Sequence, residues 1–334
     1  MQNVSRTNWG TCRYVAYIKS DNALTYKNIW LKYGITHLNI WFYNPDKHGR
    51  LTTFATDKEV DRICKIATAN GVKVVASLGG GIINATQQKW WNQIQTDEGR
   101  AIVIQAIVNL CDRTNIDGID LDLEGKSIPP KYSEFILELA PHLKERSLLF
   151  SIAASRWIVS PYVNDEALAT FDMINVMSYN YSGCFSKTGS DHSSLQDTKQ
   201  ELNFWHFTRK VDPAKLVVGI PYYARVWDYD SEGIRTACYT KTLKAMVEFY
   251  PQMLYADSFV ELDLEDGGVR QISMNSIETL IQKFELATNF GGIMCWTLEN
   301  DSIQEGFCYS KILMHLRDNY LLKNGISSIP YNGK

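Results

Sequence analysis

The sequence predicts an α/β chain, a single closed (β/α)8 barrel of the TIM type with a small insertion after the seventh strand. Three observations carry this expectation. Eight short β-rich runs alternate with helical patterns, which implies parallel strands joined by crossover helices. The runs are nearly continuously apolar, as strands covered on both faces are. The length of 334 residues suits one barrel of about 250 residues with decorated loops better than two small domains.

Arg13 to Ile18 is the first strand and Ile35 to Phe42 the second, with a weakly helical stretch from Tyr26 to Lys32 between them. Thr56-Asp57-Lys58-Glu59 reads as a capping box ahead of Val60, Ile63, Cys64 and Ala67 at helical spacing, and Asn70-Gly71 stops that helix. Val72 to Gly81 is a third strand running into a glycine turn. A helix from Asp97 to Arg113, with Ile102, Val103, Ala106, Ile107 and Leu110 as its apolar face, leads into the fourth strand. Tyr132 to Leu143 is helical, Leu148 to Ala154 is strand five, Met173 to Tyr179 is strand six and Thr198 to Phe207 is the sixth helix. Leu216 to Tyr223 is strand seven. The stretch 228–272 is too long for a simple loop and is read as a small insertion within one domain spanning 1–334. Ser276 to Ala287 is a helix, Gly291 to Trp296 is strand eight and Tyr309 to Tyr320 closes the chain.

The fourth strand carries an unusual load. In Asn115 to Gly125, four carboxylates interrupt an otherwise apolar run. Side chains two apart on a strand share a face at roughly 6.6 Å, so Asp120, Asp122 and Glu124 point one way and Ile119, Leu121 and Leu123 the other. Burying such an array is costly unless the acids share protons or hydrogen bonds. As a bare pattern it is either a structural ion-pair or metal-ligand group, or an array kept for chemistry. Asp117 has an odd offset from Asp120, which turns it off that face toward a fold-stabilising role. In a barrel, catalytic groups collect at the strand C-terminal ends, and Glu124, Tyr179, Asn180 and Trp296 all fall there.

Composition narrows the partners. A net charge of −3 and a pI near 6.1 offer no basic patch for nucleic acid or an anionic membrane, and a neutral partner suits this balance. No apolar run approaches the ~18 residues of a membrane span, and the start lacks a signal-peptide core. The expected compartment is the exterior or periplasm with the leader absent from this chain; the cytoplasm is the alternative. The seven cysteines are odd in number and dispersed, without C-x-x-C spacing, and read mostly as free thiols. His142, His206 and His315 lie on expected helices and are assigned nothing. No metal and no cofactor is expected, and the chain is expected to act as a monomer.

Five segments in order resemble family 18 of the glycoside hydrolases, the chitinase-type barrels, across nearly the whole length. The family's D-x-x-D-x-D-x-E stands as Asp117, Asp120, Asp122 and Glu124; its S-x-G-G as Ser77-Leu78-Gly79-Gly80; its M-x-Y-D/N as Met177-Ser178-Tyr179-Asn180. Gly219-Ile220-Pro221-Tyr222-Tyr223-Ala224-Arg225 and Gly292-Ile293-Met294-Cys295-Trp296 are similar to its strand-seven and strand-eight segments. The resemblance implies retaining hydrolysis of β-1,4 links between N-acetylglucosamine units of chitin or chito-oligosaccharides. Glu124 would be the acid and then the base, and the substrate's own acetamido oxygen the nucleophile. It further implies that Asp122 bonds the acetamido N–H and shares a proton with Asp120, that Tyr17 and Ser77 hold Asp120, and that Tyr179 orients the acetamido carbonyl. Trp296 would floor the sugar, with Met177, Asn180, Trp41, Tyr223 and Trp227 as further substrate contacts.

Trp157 also follows a strand at that rim and is a candidate sugar face. Trp90 and Trp91 are weaker candidates, while Trp9, Trp30 and Trp205 read as packing. The chain departs from the resemblance at Asn180, where relatives often carry Asp, at Ala224 and at Phe185. Alternatives are an endo-β-N-acetylglucosaminidase acting on N-glycan chitobiose cores or peptidoglycan, and a sugar-binding barrel without turnover, against which Glu124 argues. The short insertion after Trp227 implies shallow walls, which favours endo cutting.

Overall fold

Eight parallel strands close on themselves in the computed structural model, which describes residues 13–302 and 307–324. In chain order the elements are β1 (Arg13–Lys19), α1 (Lys27–Lys32), β2 (His37–Pro45), the two-residue β3 (Leu51–Thr52), α2 (Asp57–Ala69), β4 (Lys73–Gly80), α3 (Ala85–Trp91), α4 (Asp97–Arg113) and β5 (Gly118–Leu123). There follow α5 (Tyr132–Glu145), β6 (Leu149–Ala154), α6 (Asp165–Thr170), β7 (Met173–Val176), α7 (Leu195–Asn203) and β8 (Leu216–Pro221). The barrel runs β1-β2-β4-β5-β6-β7-β8-β13, and β13 (Gly292–Trp296) pairs with β1 to close it. The fourth barrel strand, with the acids, is therefore β5. It lies across the barrel from β13, four strands away in either direction.

Local chemistry explains the helices. At α2, Thr56 Oγ1 accepts from Glu59 N at 3.3 Å while Glu59 Oε2 accepts from Thr56 N at 2.8 Å, and Val60, Ile63, Cys64 and Ala67 are buried beneath. At α4, Thr96 caps and Asp97 and Glu98 sit in the first turn, complementing the positive end of the helix dipole. Its buried stripe holds Val103, Ile104, Ile107, Val108 and Leu110. Ile102, expected on that face, is exposed instead, because the stripe is centred about 150° round the helix from it. Two short helices of the barrel are not predicted from the sequence: α3, capped by Asn84 and Gln87, and α6, capped by Asn164. Both are too short to show periodicity. Phe204–Thr208, read as α-helix, is a π-helical turn following α7.

After β8 the chain enters a second sheet at once. β9 (Tyr223–Tyr229), β10 (Arg235–Thr242), β11 (Phe259–Asp263) and β12 (Val269–Ser273) form an antiparallel sheet in the order β10-β9-β12-β11, with α8 (Leu243–Phe249) between β10 and β11. This α+β unit begins at Tyr223, earlier than residue 228, and the inference from a short insertion to shallow walls loses its premise. Helices α9 (Ile277–Ala287) and α10 (Tyr309–Lys323) complete the outer layer.

A disulfide between Cys184 and Cys238, Cα atoms 5.5 Å apart, ties the loop after β7 to β10. Reading the thiols as mostly free missed this pair, because partners 54 residues apart leave no local spacing signal. Arg235 supports the same junction through Ser186 O at 2.6 Å and Cys184 O at 3.1 Å. Cys64, Cys111, Cys295 and Cys308 are buried free thiols, and Cys12 and Trp9 lie outside the described residues. Among the described residues no helix is long and apolar enough to cross a membrane.

Candidate active site

The inward register of β5 sends Asp120 and Asp122 into the barrel, with Glu124 just past the strand end. Asp120 is fully buried and accepts four hydrogen bonds. Tyr17 Oη and Ser77 Oγ each donate to Oδ2 at 2.8 Å, while Ser151 Oγ at 2.6 Å and Asn175 Nδ2 at 3.2 Å donate to Oδ1. The donors come from β1, β4, β6 and β7, so four strands aim at one carboxylate. Asn175 also donates to Tyr17 Oη at 3.0 Å, which orients the phenol proton toward Asp120.

Two residues on, Asp122 is buried at 3% exposure, and its Oδ1 has no hydrogen-bond partner among the described residues. Burial raises its proton affinity well above the usual carboxylate range, and the charges of Glu124 and Asp120 raise it further. Burial raises Asp120 too, but its four donors oppose that rise. With four donors on its two oxygens, Asp120 has no lone pair left for a proton. The ionised member of this adjacent pair is therefore Asp120, and the proton resides on Asp122. Desolvation alone pushes Glu124 up to about 7, where it is poised to give and take a proton near neutrality. Asp117 lies off this face, accepting from Lys73 Nζ at 2.7 Å and Val74 N at 2.9 Å.

The glycines that end β4 and follow it let neighbouring side chains, Glu124 among them, approach the backbone closely. Gly79 and Gly80 both have φ +99°, and a methyl on either would meet Leu123 Cδ2 at 2.7 Å or Phe42 Cδ2 at 2.5 Å. A methyl on Gly81 would fall 2.7 Å from Glu124 Oε1. Similarly, Gly219 on β8 leaves room for the Tyr179 ring, which a methyl there would approach to 2.9 Å.

Tyr179, 8% exposed, lies beyond β7, and the nearest partner of its hydroxyl is Met294 Sδ at 3.9 Å. Burial holds this phenol protonated. Met177, buried, leaves β7 with its N–H on Ala154 O at 2.8 Å. Asn180 takes φ +62°, and its Oδ1 accepts from Tyr223 Oη and Arg225 Nη2, each at 2.8 Å, and from Arg225 Nε at 3.2 Å. Tyr223 and Arg225, from β9, thus lock the β7 loop to the insertion.

Opposite the acids, Trp296 is packed by Tyr17 at 5.5 Å, Phe42 at 5.6 Å and Trp41 at 5.7 Å between ring centroids. Trp41 and Trp296 keep partial exposure. Trp227 does not belong to this site. On β9 it is fully buried, its Nε1 donating to Gly183 O at 3.3 Å, because the strand end expected at the rim instead continues into the second sheet. Trp91 is likewise buried, on α3. Ser151 and Asn175 escaped the sequence reading. The available signal was a lone polar residue at an inward, alternate position of an otherwise apolar strand, Asn175 being in phase with Met177 and Tyr179.

Residues 13–301 match the family model of glycosyl hydrolases family 18. The chain is 24% identical over 325 residues to mouse chitotriosidase-1, covering 82% of this chain and 68% of that one. It is 25% identical over 228 residues to an endochitinase of Brugia malayi, of whose length it spans 45%. Among solved structures, a GH18 chitinase from the chitin utilization locus of Flavobacterium johnsoniae superposes with a TM-score of 0.79 at 28% identity, covering 93% of this chain and 95% of that one. A chitinase-like agglutinin from Robinia pseudoacacia shares the fold at a TM-score of 0.72 and 20% identity, covering 91% and 99% of the two chains. With its barrel, its acids and a family match from β1 to the residues after β13, this chain belongs to the glycosyl hydrolases of family 18.

Proposed function

We propose that this chain is a retaining hydrolase of β-1,4-linked N-acetylglucosamine in chitin or chito-oligosaccharides, using the substrate's acetamido group as nucleophile. The observation that carries the reading is the unpartnered Oδ1 of Asp122 beside a fully bonded Asp120. A buried acceptor without a donor is costly, and an acetamido N–H would satisfy it. A sugar resting on Trp296 would place its glycosidic oxygen toward Glu124, across the barrel.

Glu124 gives its proton to that oxygen as the bond to the anomeric carbon breaks. The acetamido carbonyl oxygen attacks the same carbon, forming an oxazolinium ion whose N–H is held by Asp122. Water then opens the ring as Glu124 takes a proton back, and two inversions retain the configuration. Tyr179, protonated and with its hydroxyl bonded among the described residues to a weak thioether acceptor alone, is suited to donate to the acetamido carbonyl. Raising Glu124 to about 7 supports turnover over a binding-only barrel, since mere sugar binding has no need of a tuned acid. The Cys184–Cys238 disulfide supports action in an oxidising compartment, the periplasm or exterior.

A product assay tests the reading. Chitin oligomers and a high-mannose glycoprotein are incubated separately with the protein. Chitobiose from the first and no free glycan from the second is the expected result; release of an intact glycan alone would replace the proposal with an endo-β-N-acetylglucosaminidase.

A further inference from the structure

We propose that Trp157 is a sugar-stacking platform on the leaving-group side of Glu124, binding an N-acetylglucosamine unit beyond the scissile bond; this rests on the reading above. Trp157 stands at the apex of the turn that follows β6, 72% exposed. The turn is closed by Val159 N to Ser155 O at 3.1 Å and Ser160 N to Ser155 O at 3.2 Å, and Ile158 N reaches Ser155 Oγ at 3.3 Å. The backbone under the indole is thereby fixed.

One face of the indole is already occupied. The Arg156 guanidinium carbon lies 4.9 Å from the ring centroid, and Arg156 is itself anchored. Its N–H donates to Glu201 Oε1 at 2.6 Å, and its Nε lies 3.2 Å from Glu201 Oε2. Glu201, on α7, is fully buried and also accepts from Trp205 Nε1 at 3.1 Å. A buried carboxylate thus holds an arginine, and the arginine props an exposed tryptophan whose other face is open. An unsupported surface indole would sample several rotamers and lose binding energy on ordering, whereas a propped one is ordered beforehand.

Position decides what the open face meets. The turn abuts the residue after the acid, since a methyl on Gly125 would lie 3.8 Å from Ile158 Cγ2. Because β5 and β13 are on opposite sides of the barrel, a sugar on Trp296 points its glycosidic oxygen toward Glu124. The departing chain then passes over the rim at β5 and β6, where Trp157 stands. The alternating axial hydrogens of a β-linked pyranose present a flat C–H face suited to an indole.

The test compares kcat/KM on chitopentaose, which has leaving-side sugars, with kcat/KM on the β-fluoride of chitobiose, whose leaving group is one atom. In Trp157→Ala the ratio of the two constants falls about tenfold, and in Trp157→Tyr most of it returns. An unchanged ratio in Trp157→Ala would overturn the platform. A ratio that falls in Trp157→Ala and stays down in Trp157→Tyr would overturn it as well, leaving a purely structural role for the residue. Wild-type protein that turns over neither compound would instead remove the proposed function, and this inference with it.

Discussion

Asp301 and Asp122 are both buried acids in one fold, and their surroundings differ completely. Asp301 accepts from Ser302 N and Tyr309 N at Oδ1 and from Ser310 N at Oδ2, each at 2.9 Å, with Cys308 Sγ donating to Oδ2 at 3.3 Å. Its oxygens cap the start of α10, where orphan N–H groups and the helix dipole favour an anion. Even so, burial lifts it to about 6. Among the described residues Asp122 has neither a helix end nor a donor for Oδ1. Folding has satisfied one acid for the sake of the fold and left the other incomplete, and an incomplete buried acceptor at a barrel mouth points to a ligand that completes it.

The largest effect expected is on turnover. Glu124→Gln should lose at least about two orders of magnitude in kcat, the usual scale for removing a general acid, while retaining chito-oligomer binding by calorimetry. Normal turnover would place the acid elsewhere and leave the contrast with Asp301 without chemical meaning.

Next comes stability. Asp301→Ala strips two α10 N–H groups of their acceptor and should cost about 2–3 kcal/mol in urea unfolding. Asp122→Asn removes an acid that contributes no matched hydrogen bond at Oδ1, and should leave stability within about 1 kcal/mol while abolishing activity. Equal destabilisation by the two changes would erase the distinction between a structural and a reserved carboxylate.

A pH experiment sharpens it further. Glu124 titrates at about 7 in the folded protein against about 4.3 in an unfolded chain, so the folded state holds its proton more tightly. The resulting stabilisation is complete below the unfolded value and is lost as pH rises through 7. Glu124→Gln should therefore gain about 1–2 kcal/mol relative to wild type between pH 5 and pH 8, a figure reduced for the partial exposure of Glu124. The wild-type kcat/KM should decline above about pH 7 as the acid deprotonates. A variant whose stability runs parallel to wild type across that range would contradict the raised acid.

The smallest effect concerns Asn180. Asn180→Asp brings a negative charge toward Glu124 and should raise the upper limb of the pH–rate profile. Arg225, at 2.8 Å from Asn180 Oδ1, would neutralise much of that charge, so the shift should be a few tenths of a unit. An unchanged or lowered limb in a well-folded variant would disconnect position 180 from the acid.

What could be read from the sequence follows from period and position. Asp120, Asp122 and Glu124 repeat every second residue, and strand ends mark the rim, so the sequence alone puts the acids, Tyr179 and Trp296 at one mouth of the barrel. Ser151 and Asn175 carry the same signal in weaker form, one polar residue among apolar neighbours, so two of the four donors to Asp120 emerge only from the structure. Trp227 departs from the strand-end expectation because the chain, instead of turning back as a helix, continues into β9. The pairing of Cys184 with Cys238, and the propping of Trp157 by Arg156 and Glu201, join separate segments of chain and leave no local pattern.

The central claim is that Asp122 waits for the N–H of an acetamido group whose carbonyl performs the attack. The most direct measurement compares initial rates on chitotetraose and on cellotetraose, oligomers of equal length and linkage that differ at that substituent. Cleavage of the first with no detectable cleavage of the second is the predicted result. Comparable rates on both would mean that the acetamido group takes no part, and that the open oxygen of Asp122 serves something other than this chemistry.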